Sequence, residues 1–354
     1  TSYMSLLILA IALLPSGEAV IIDAFDGSFF GNNPKLGKKL NNDPDELITK
    51  VSPANTDDKL WQCHVYHKNV ERVMSSAQTA KNSWAAKSHL ERADLLKKYG
   101  EQLKKRKDLI AEAIAIETGK PLWEAHTEAN GVIAKVGVTI DHSLPRIQQS
   151  KYPDIAPGVD GLLLYKPLGI SLIIGPFNFP CHLANGQIVS ALIAGNPIIF
   201  KPSEKTIYSA QLLIECFHEA GFPPGVINLI NGGGEVARRL LEEKEIKGVY
   251  FTGSKEVGRK IASVTHKDFS KLVALEMGGK NTSIIHKDAI TKNTIPELIK
   301  ACFLTTGQRC VSTSKIAIHR SIADQFITEF HNTAKKLIID HPIEHEKEPF
   351  MGPL

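Results

Sequence analysis

Through the middle of the chain, short apolar runs alternate with longer amphipathic stretches. Residues 171–175, 197–200, 226–230 and 248–251 have strand length and little polar alternation, the pattern of strands buried on both faces. Helical stretches at 184–194, 206–220, 235–243 and 255–264 separate them. That order predicts βαβ units around a mainly parallel sheet, an open α/β fold. Further strands are expected at 271–276, 282–285 and 315–319, with helices at about 294–307 and 322–337.

Upstream the periodicity changes. Residues 22–60 read as short strands and turns, punctuated by Gly31-Asn32-Asn33-Pro34 and Ser52-Pro53-Ala54-Asn55. Two amphipathic helices follow. Ser88 with Glu91 three residues later forms a capping-box pattern for the second, along which Leu90, Ala93, Leu96, Leu103, Ile110 and Ile114 recur near helical period. Helix returns at about 121–144. Pro145, Pro153 and Pro157 then break it, predicting an extended connection over 145–162.

Composition narrows the picture a little. A chain of 354 residues, 43% hydrophobic and 23% charged, suggests two domains, or one large one with insertions. A net charge of +4 with acidic and basic residues interspersed argues against a nucleic-acid or membrane-surface partner. The basic run Lys104-Lys105-Arg106-Lys107 lies within a helical pattern and reads as a solvated face. Five cysteines without C-x-x-C or metal-ligand spacing suggest neither zinc nor disulfides, so no metal is expected and a reducing, cytoplasmic location fits. The apolar stretch from Met4 to Leu14 is too short to span a bilayer and has no basic residue before Lys35, so residues 1–22 stand apart without an assigned role.

In open parallel sheets, ligands bind at the carboxyl ends of strands. The breaker-rich segments fall there: Pro176-Phe177-Asn178-Phe179-Pro180, Lys201-Pro202-Ser203-Glu204, Gly232-Gly233-Gly234 and Thr252-Gly253-Ser254. Gly232, Gly234 and Ala237 fit a G-x-G-x-x-A fingerprint between strand and helix, which alone is weak. The acidic residue expected downstream is missing, and Glu204 follows the preceding strand instead. A dinucleotide would therefore bind in a non-standard way.

Several motifs together are more specific. Glu117-Thr-Gly-Lys-Pro121, Gly175-Pro-Phe-Asn-Phe-Pro180, Lys201-Pro-Ser-Glu204, Phe251-Thr-Gly-Ser254, Glu276-Met-Gly-Gly-Lys-Asn281 and Gly307-Gln-Arg-Cys310 occur in that order. The series resembles that of the aldehyde dehydrogenase superfamily from about residue 23 onwards. The resemblance implies a Rossmann-type NAD domain from 23–144 and 163–275. It also implies an oligomerisation arm within 145–162 and the first part of an α/β catalytic domain in 276–354.

It further implies that Cys310 is the nucleophile, that Asn178 stabilises the oxyanion and that Glu276 activates the hydrolytic water. By the same resemblance Pro176, Phe177, Lys201, Ser203, Glu204, Gly232, Gly233, Gly253 and Ser254 bind the cofactor. Lys201 and Glu204 would hold the adenosine-side ribose, and Glu204 favours NAD because a carboxylate repels a 2′-phosphate. Ser254, by default a helix cap, lies where a helix end could face the pyrophosphate.

The residue types bear on these roles. Gly307-Gln308-Arg309 gives Cys310 a polar, flexible approach where a thiolate can be exposed. Cys216 and Cys302, within apolar helical patterns, read as small core residues. Glu276 ends the apolar run Leu272-Val-Ala-Leu275, where a carboxylate is costly unless paired. The likeness is strongest to a branch oxidising succinylglutamate semialdehyde in arginine catabolism, and Arg309 is the candidate cation for such an anionic substrate. The family's later Glu-x-Phe-Gly-Pro segment and C-terminal strand are not in the sequence. This leaves the family's homo-oligomer open for this chain and makes two alternatives: a silent NAD-binding fragment of the same fold, or a cofactor-free thiol hydrolase.

Overall fold

The computed structural model describes residues 28–29 and 44–353. The apolar segment 1–22 and the first predicted strands and turns lie outside the described residues. A six-stranded sheet forms the centre, in the order β1 (Ser28–Phe29), β8 (Ile227–Ile230), β7 (Ile198–Lys201), β6 (Ile170–Ile174), β9 (Ile246–Gly253), β10 (Leu272–Met277). The strands from β6 to β10 are parallel to their neighbours, and only β1 runs antiparallel. The chain order reverses between β6 and β9, a switch point of the kind beside which open α/β sheets bind ligands.

Both faces of this sheet are covered, which is why its central strands carry continuous apolar sequence. On β6 the alternation survives inside the core. Ile170, Leu172 and Ile174 pack on one side with α1 (Asn69–Ala86), α7 (Gly234–Glu242) and α8 (Lys255–Thr265). Ile173 packs on the other with α2 (His89–Lys105), α3 (Lys107–Thr118), α4 (Leu122–Val138), α5 (His182–Ile193) and α6 (Ile207–Glu219). The hairpin of β2 (Glu46–Val51) and β3 (Lys59–Val65) closes the first side through Trp61, Cys63 and Val65.

Local chemistry sets the helix boundaries. Ser88 accepts from the Glu91 N–H at 3.2 Å while the Glu91 carboxylate accepts from the Ser88 N–H at 2.8 Å, so the expected capping box closes. The single helical pattern expected through residue 114 is two helices, because the chain kinks at Arg106. Its guanidinium leaves the solvated face and pairs with Glu215 and Glu219 of α6. In the motif Glu117-Thr-Gly-Lys-Pro121, Gly119 ends α3 with φ 76°, the usual glycine C-cap, and Pro121 stands at the N-cap just before α4.

The stretch expected as an extended connection folds back on itself as a hairpin, β4 (Ser150–Ala156) against β5 (Val159–Leu163). Pro153 is tolerated because the ladder is irregular between Tyr152 and Ala156, where Asp154 takes φ 52°. Tyr152, Ile155 and Leu162 of this hairpin are exposed. After β10 comes a smaller unit, β11 (Asn281–Ile285) parallel to β12 (Thr313–Ile318), packed with α9 (Thr294–Phe303) and α10 (Ala323–Ala334) around Ile285, Leu298 and Phe326. Among the described residues, no helix is long and apolar enough to cross a membrane.

Candidate active site

Of the loops that leave the carboxyl edge of the sheet, those after β6, β7, β8 and β9 each lead into a helix. Helix N-termini present unsatisfied N–H groups and a partial positive charge. Three of the four are occupied by carboxylates from elsewhere in the chain. Glu128 Oε1 accepts from the N–H groups of Cys181 and His182 at the start of α5, at 3.0 and 3.1 Å. Glu117 accepts from Tyr208 and Ser209 at the start of α6, at 2.8 and 2.9 Å. Glu46 accepts from Gly233 before α7, at 3.2 Å. Only α8 begins differently: Ser254 takes the Val257 N–H with its own hydroxyl at 3.2 Å.

Among these four helix starts, that of α8 alone carries no carboxylate from elsewhere in the chain, the condition under which a helix end attracts an anion. Ser254 and Gly253 lie there, at the end of β9. Of the two glycines expected to bind the cofactor, Gly233 already has its amide taken by Glu46. Gly232 is required for a steric reason: it has φ 148°, and a Cβ would come within 2.3 Å of Val236.

Lys201 ends β7 fully buried, donating to the carbonyls of Pro202 and Gly232 at 2.7 and 2.8 Å. Burial pushes its ammonium down to about 8, opposed by Glu204 and Glu46. An ammonium has three donors, so one remains for a hydroxyl such as that of a ribose. Glu204 is exposed at the same strand end, and the Ser203 hydroxyl accepts from the Lys205 N–H at 3.2 Å. Pro176 is buried, and Phe177 lies under the Lys205 ammonium at 4.9 Å.

The nucleophile candidate is distinguished by exposure. Cys63, Cys181 and Cys216 are buried, Cys302 is half-buried, and Cys310 is exposed. Burial raises the Cys181 thiol well above its ordinary range and pushes Cys216 up to about 12, so neither is a nucleophile at neutral pH. Cys302, expected as a core residue, is only partly covered. The helix expected to run to 307 stops at Phe303, and Thr305, Thr306 and Gly307 take φ 56°, 54° and 72°. This left-handed turn aims the chain away from the helix axis and leads to Cys310.

Asn178 meets this loop directly. Its Nδ2 donates to the Gln308 carbonyl at 2.6 Å, two residues before Cys310. Lys120 holds the other side of Asn178, its ammonium donating to the Asn178 carbonyl at 2.6 Å and to Glu128 at 2.7 Å, 4.0 Å from the Phe179 ring centroid. Gly175, at the head of the loop, leaves no room for a side chain because a Cβ would stand 2.9 Å from the Phe200 ring. A residue without an assigned role also joins the site: Asn281 Nδ2 donates to the carbonyls of Cys310 and Ser312 at 2.8 and 3.2 Å. It ends the motif that begins at Glu276, which was the available signal.

Two expectations need correction. Glu276 is exposed, not set in apolar surroundings, because β10 is the edge of the sheet and alternates between covered and open positions. Arg309 is not a free cation. Its guanidinium pairs with the buried Glu124, donates from Nε to Thr305 Oγ1 at 2.9 Å and lies 5.4 Å from the Phe179 ring centroid.

Glu117 gives a pH-dependent prediction. Burial pushes its carboxyl up to about 7, although N–H donors from Ser209, Tyr208 and Trp61 pull the other way. A carboxyl raised in the folded state stabilises the fold at low pH and loses that contribution as pH rises through about 7. Stability is expected to fall by up to about 3 kcal/mol across this window. Urea unfolding of the wild type and Glu117→Gln at a series of pH values checks it: the variant is expected to lack the slope.

A doubly covered parallel sheet with a switch point, one helix start bearing no carboxylate from elsewhere in the chain, and an exposed thiol two residues beyond a carbonyl held by an asparagine amide define an α/β fold carrying a thiol site. The sequence profile of the aldehyde dehydrogenase family matches residues 40–354, and the chain belongs to that family. Among curated relatives, it is 37% identical over 307 residues to N-succinylglutamate 5-semialdehyde dehydrogenase of Novosphingobium aromaticivorans, covering 87% of this chain and 64% of the relative. It is 38% identical over 303 residues to the enzyme of that name from Burkholderia cenocepacia, covering 84% and 61%. The chain thus spans less than two thirds of the length of these relatives. Among solved structures, methylmalonate-semialdehyde dehydrogenase from Oceanimonas doudoroffii superposes with a TM-score of 0.86 at 26% identity, covering 94% of this chain and 66% of that one. NADP-dependent glyceraldehyde-3-phosphate dehydrogenase from Bacillus halodurans, complexed with NADP, gives 0.84 at 28% identity, covering 93% and 68%.

Proposed function

We propose that the chain oxidises an aldehyde to a carboxylic acid with NAD, using Cys310 as nucleophile, and that the aldehyde is N-succinylglutamate semialdehyde. The observation that carries the reading is the bond from the Asn178 amide to the loop of the exposed Cys310. The substrate assignment rests on the names of the curated relatives.

The Cys310 thiolate adds to the aldehyde carbon, and negative charge develops on the former carbonyl oxygen. An amide nitrogen carries two hydrogens, so Asn178 keeps one for that oxygen while the other holds the Gln308 carbonyl. NAD, when bound, supplies the acceptor for the hydride. Lys201 and Glu204 suit its ribose hydroxyls, Pro176 and Phe177 line the approach, and the start of α8 at Gly253 and Ser254 suits its pyrophosphate. Ser203, Gly232 and Gly233 are left to the uncharged adenosine side. Glu204 favours NAD over NADP, because its exposed carboxylate repels a 2′-phosphate. The resulting Cys310 thioester is released by water, from which the solvent-open Glu276 carboxylate takes a proton.

Replacing Asn178 by Ala tests the oxyanion role. Turnover is expected to fall by about 10²- to 10³-fold, the usual loss for one such donor, with the NAD dissociation constant unchanged. Steady-state kinetics with calorimetric NAD titration measure both. Unchanged kcat would remove Asn178 from the chemistry.

A further inference from the structure

A buried carboxylate with no part in the proposed chemistry holds the loop that carries the nucleophile. Glu124, on α4, is 2% exposed in its side chain. It accepts from the Thr305 N–H at 3.0 Å and also from the Thr305 hydroxyl. The same oxygen that takes the hydroxyl, Oε1, pairs with the Arg309 guanidinium, whose Nε returns to Thr305 Oγ1. One carboxylate thus fixes the two ends of a five-residue turn, from 305 to 309, immediately before Cys310.

That turn needs holding. Thr305 and Thr306 are β-branched residues in left-handed backbone, a conformation that persists only where surrounding contacts impose it. Thr306 has a single side-chain anchor, its hydroxyl on the Gly352 carbonyl at 3.0 Å. Thr305 has its side chain and its N–H anchored by the Glu124 and Arg309 pair, while its carbonyl accepts from the Gln308 N–H at 2.9 Å. A buried carboxylate paired with an arginine is expensive to form and fails badly when one partner is removed.

We infer that Glu124 and Arg309 form a positioning pair for Cys310, setting the left-handed turn that presents its thiol to the Asn178 amide. The inference rests on the reading of Cys310 as the reactive thiol. It assigns Arg309 to the protein's own carboxylate, so substrate carboxylates must be met by other cations.

The test uses a readout that requires neither aldehyde nor NAD. Iodoacetamide labelling of Cys310, followed by peptide mass, reports the presentation of the thiol, and amide hydrogen exchange of residues 303–312 reports the turn. Glu124→Gln and Arg309→Gln are each expected to accelerate exchange in that segment by at least about tenfold and to change the labelling rate. The double variant, where two amides can pair, is expected to return towards wild type in both, a coupling that two independent structural defects would not give. Exchange in β6 and α5 stays unchanged, separating this outcome from general unfolding. Wild-type labelling and exchange in both single variants would overturn the proposal. Additive effects in the double variant would overturn it as well. Labelling of Cys302 instead of Cys310 in the wild type would defeat the underlying nucleophile reading, a different failure.

Discussion

Cys310→Ala is expected to abolish NADH formation, lowering kcat by about 10⁴-fold or more, the scale seen when a covalent nucleophile is removed. Covalent catalysis needs a thiolate that solvent and substrate can reach. Burial withdraws Cys181 and Cys216 from that role, and Cys63 lies in the core under the β2–β3 hairpin. The variant removes no buried contact, so its unfolding midpoint and NAD affinity are expected to match wild type. Stopped-flow absorbance of reduced nicotinamide, with calorimetry on the same sample, separates a lost nucleophile from a lost fold.

Glu128→Ala is expected to destabilise the protein by about 3–5 kcal/mol, the cost of stranding a buried partner charge. Lys120 and Glu128 are both almost wholly buried, with side-chain exposures of 1% and 0%. Removing the carboxylate leaves the ammonium unpaired and uncaps Cys181 and His182 at the start of α5. Because Lys120 also holds the Asn178 carbonyl, the loss reaches the proposed oxyanion donor. Lys120→Met combined with Glu128→Gln keeps volume and removes both charges, and is expected to recover most of the stability. Urea denaturation of the three proteins measures this. A loss below about 1 kcal/mol for Glu128→Ala would mean that the pair behaves as a solvated one.

Together these residues describe how the α3–α4 pair works. Glu117, Glu124 and Glu128 each leave this helical pair and tie down a different loop at the sheet edge. One reaches α6, one the Cys310 turn and one α5 with the Asn178 loop. Two helix N-termini are filled internally in this way and a third by Glu46, so the start of α8 is the one of the four with no carboxylate from elsewhere.

Little of this is visible in the sequence. The central strands are legible because burial on both faces makes them continuously apolar, and the Ser88–Glu91 cap because its pattern is local. The three glutamates look like ordinary charges on helices. Their one signal is that Lys120, Glu124 and Glu128 recur every four residues beside the buried Ala125, Ala129 and Val132, so that a charged row borders a core stripe. Nothing local separates such a row from a solvated one, because the distinction is made by Arg309 and Asn178, far away in the chain. The kink at Arg106 is hidden for a similar reason, since its partners Glu215 and Glu219 lie on α6. Glu276 misled in the opposite direction: four apolar residues before it suggest burial, but an edge strand buries only one face. The motif singles out Cys310 in the sequence, whereas the left-handed turn before it was announced by Gly307 alone.

The most direct measurement is to mix the wild-type chain with NAD and N-succinylglutamate semialdehyde, follow reduced nicotinamide, and quench in acid for peptide mass. The account predicts NADH, formed better with NAD than the phosphorylated cofactor with NADP, and an acyl group trapped on Cys310. NADH with the acyl group on another residue, or no NADH from this or any other aldehyde, would contradict it.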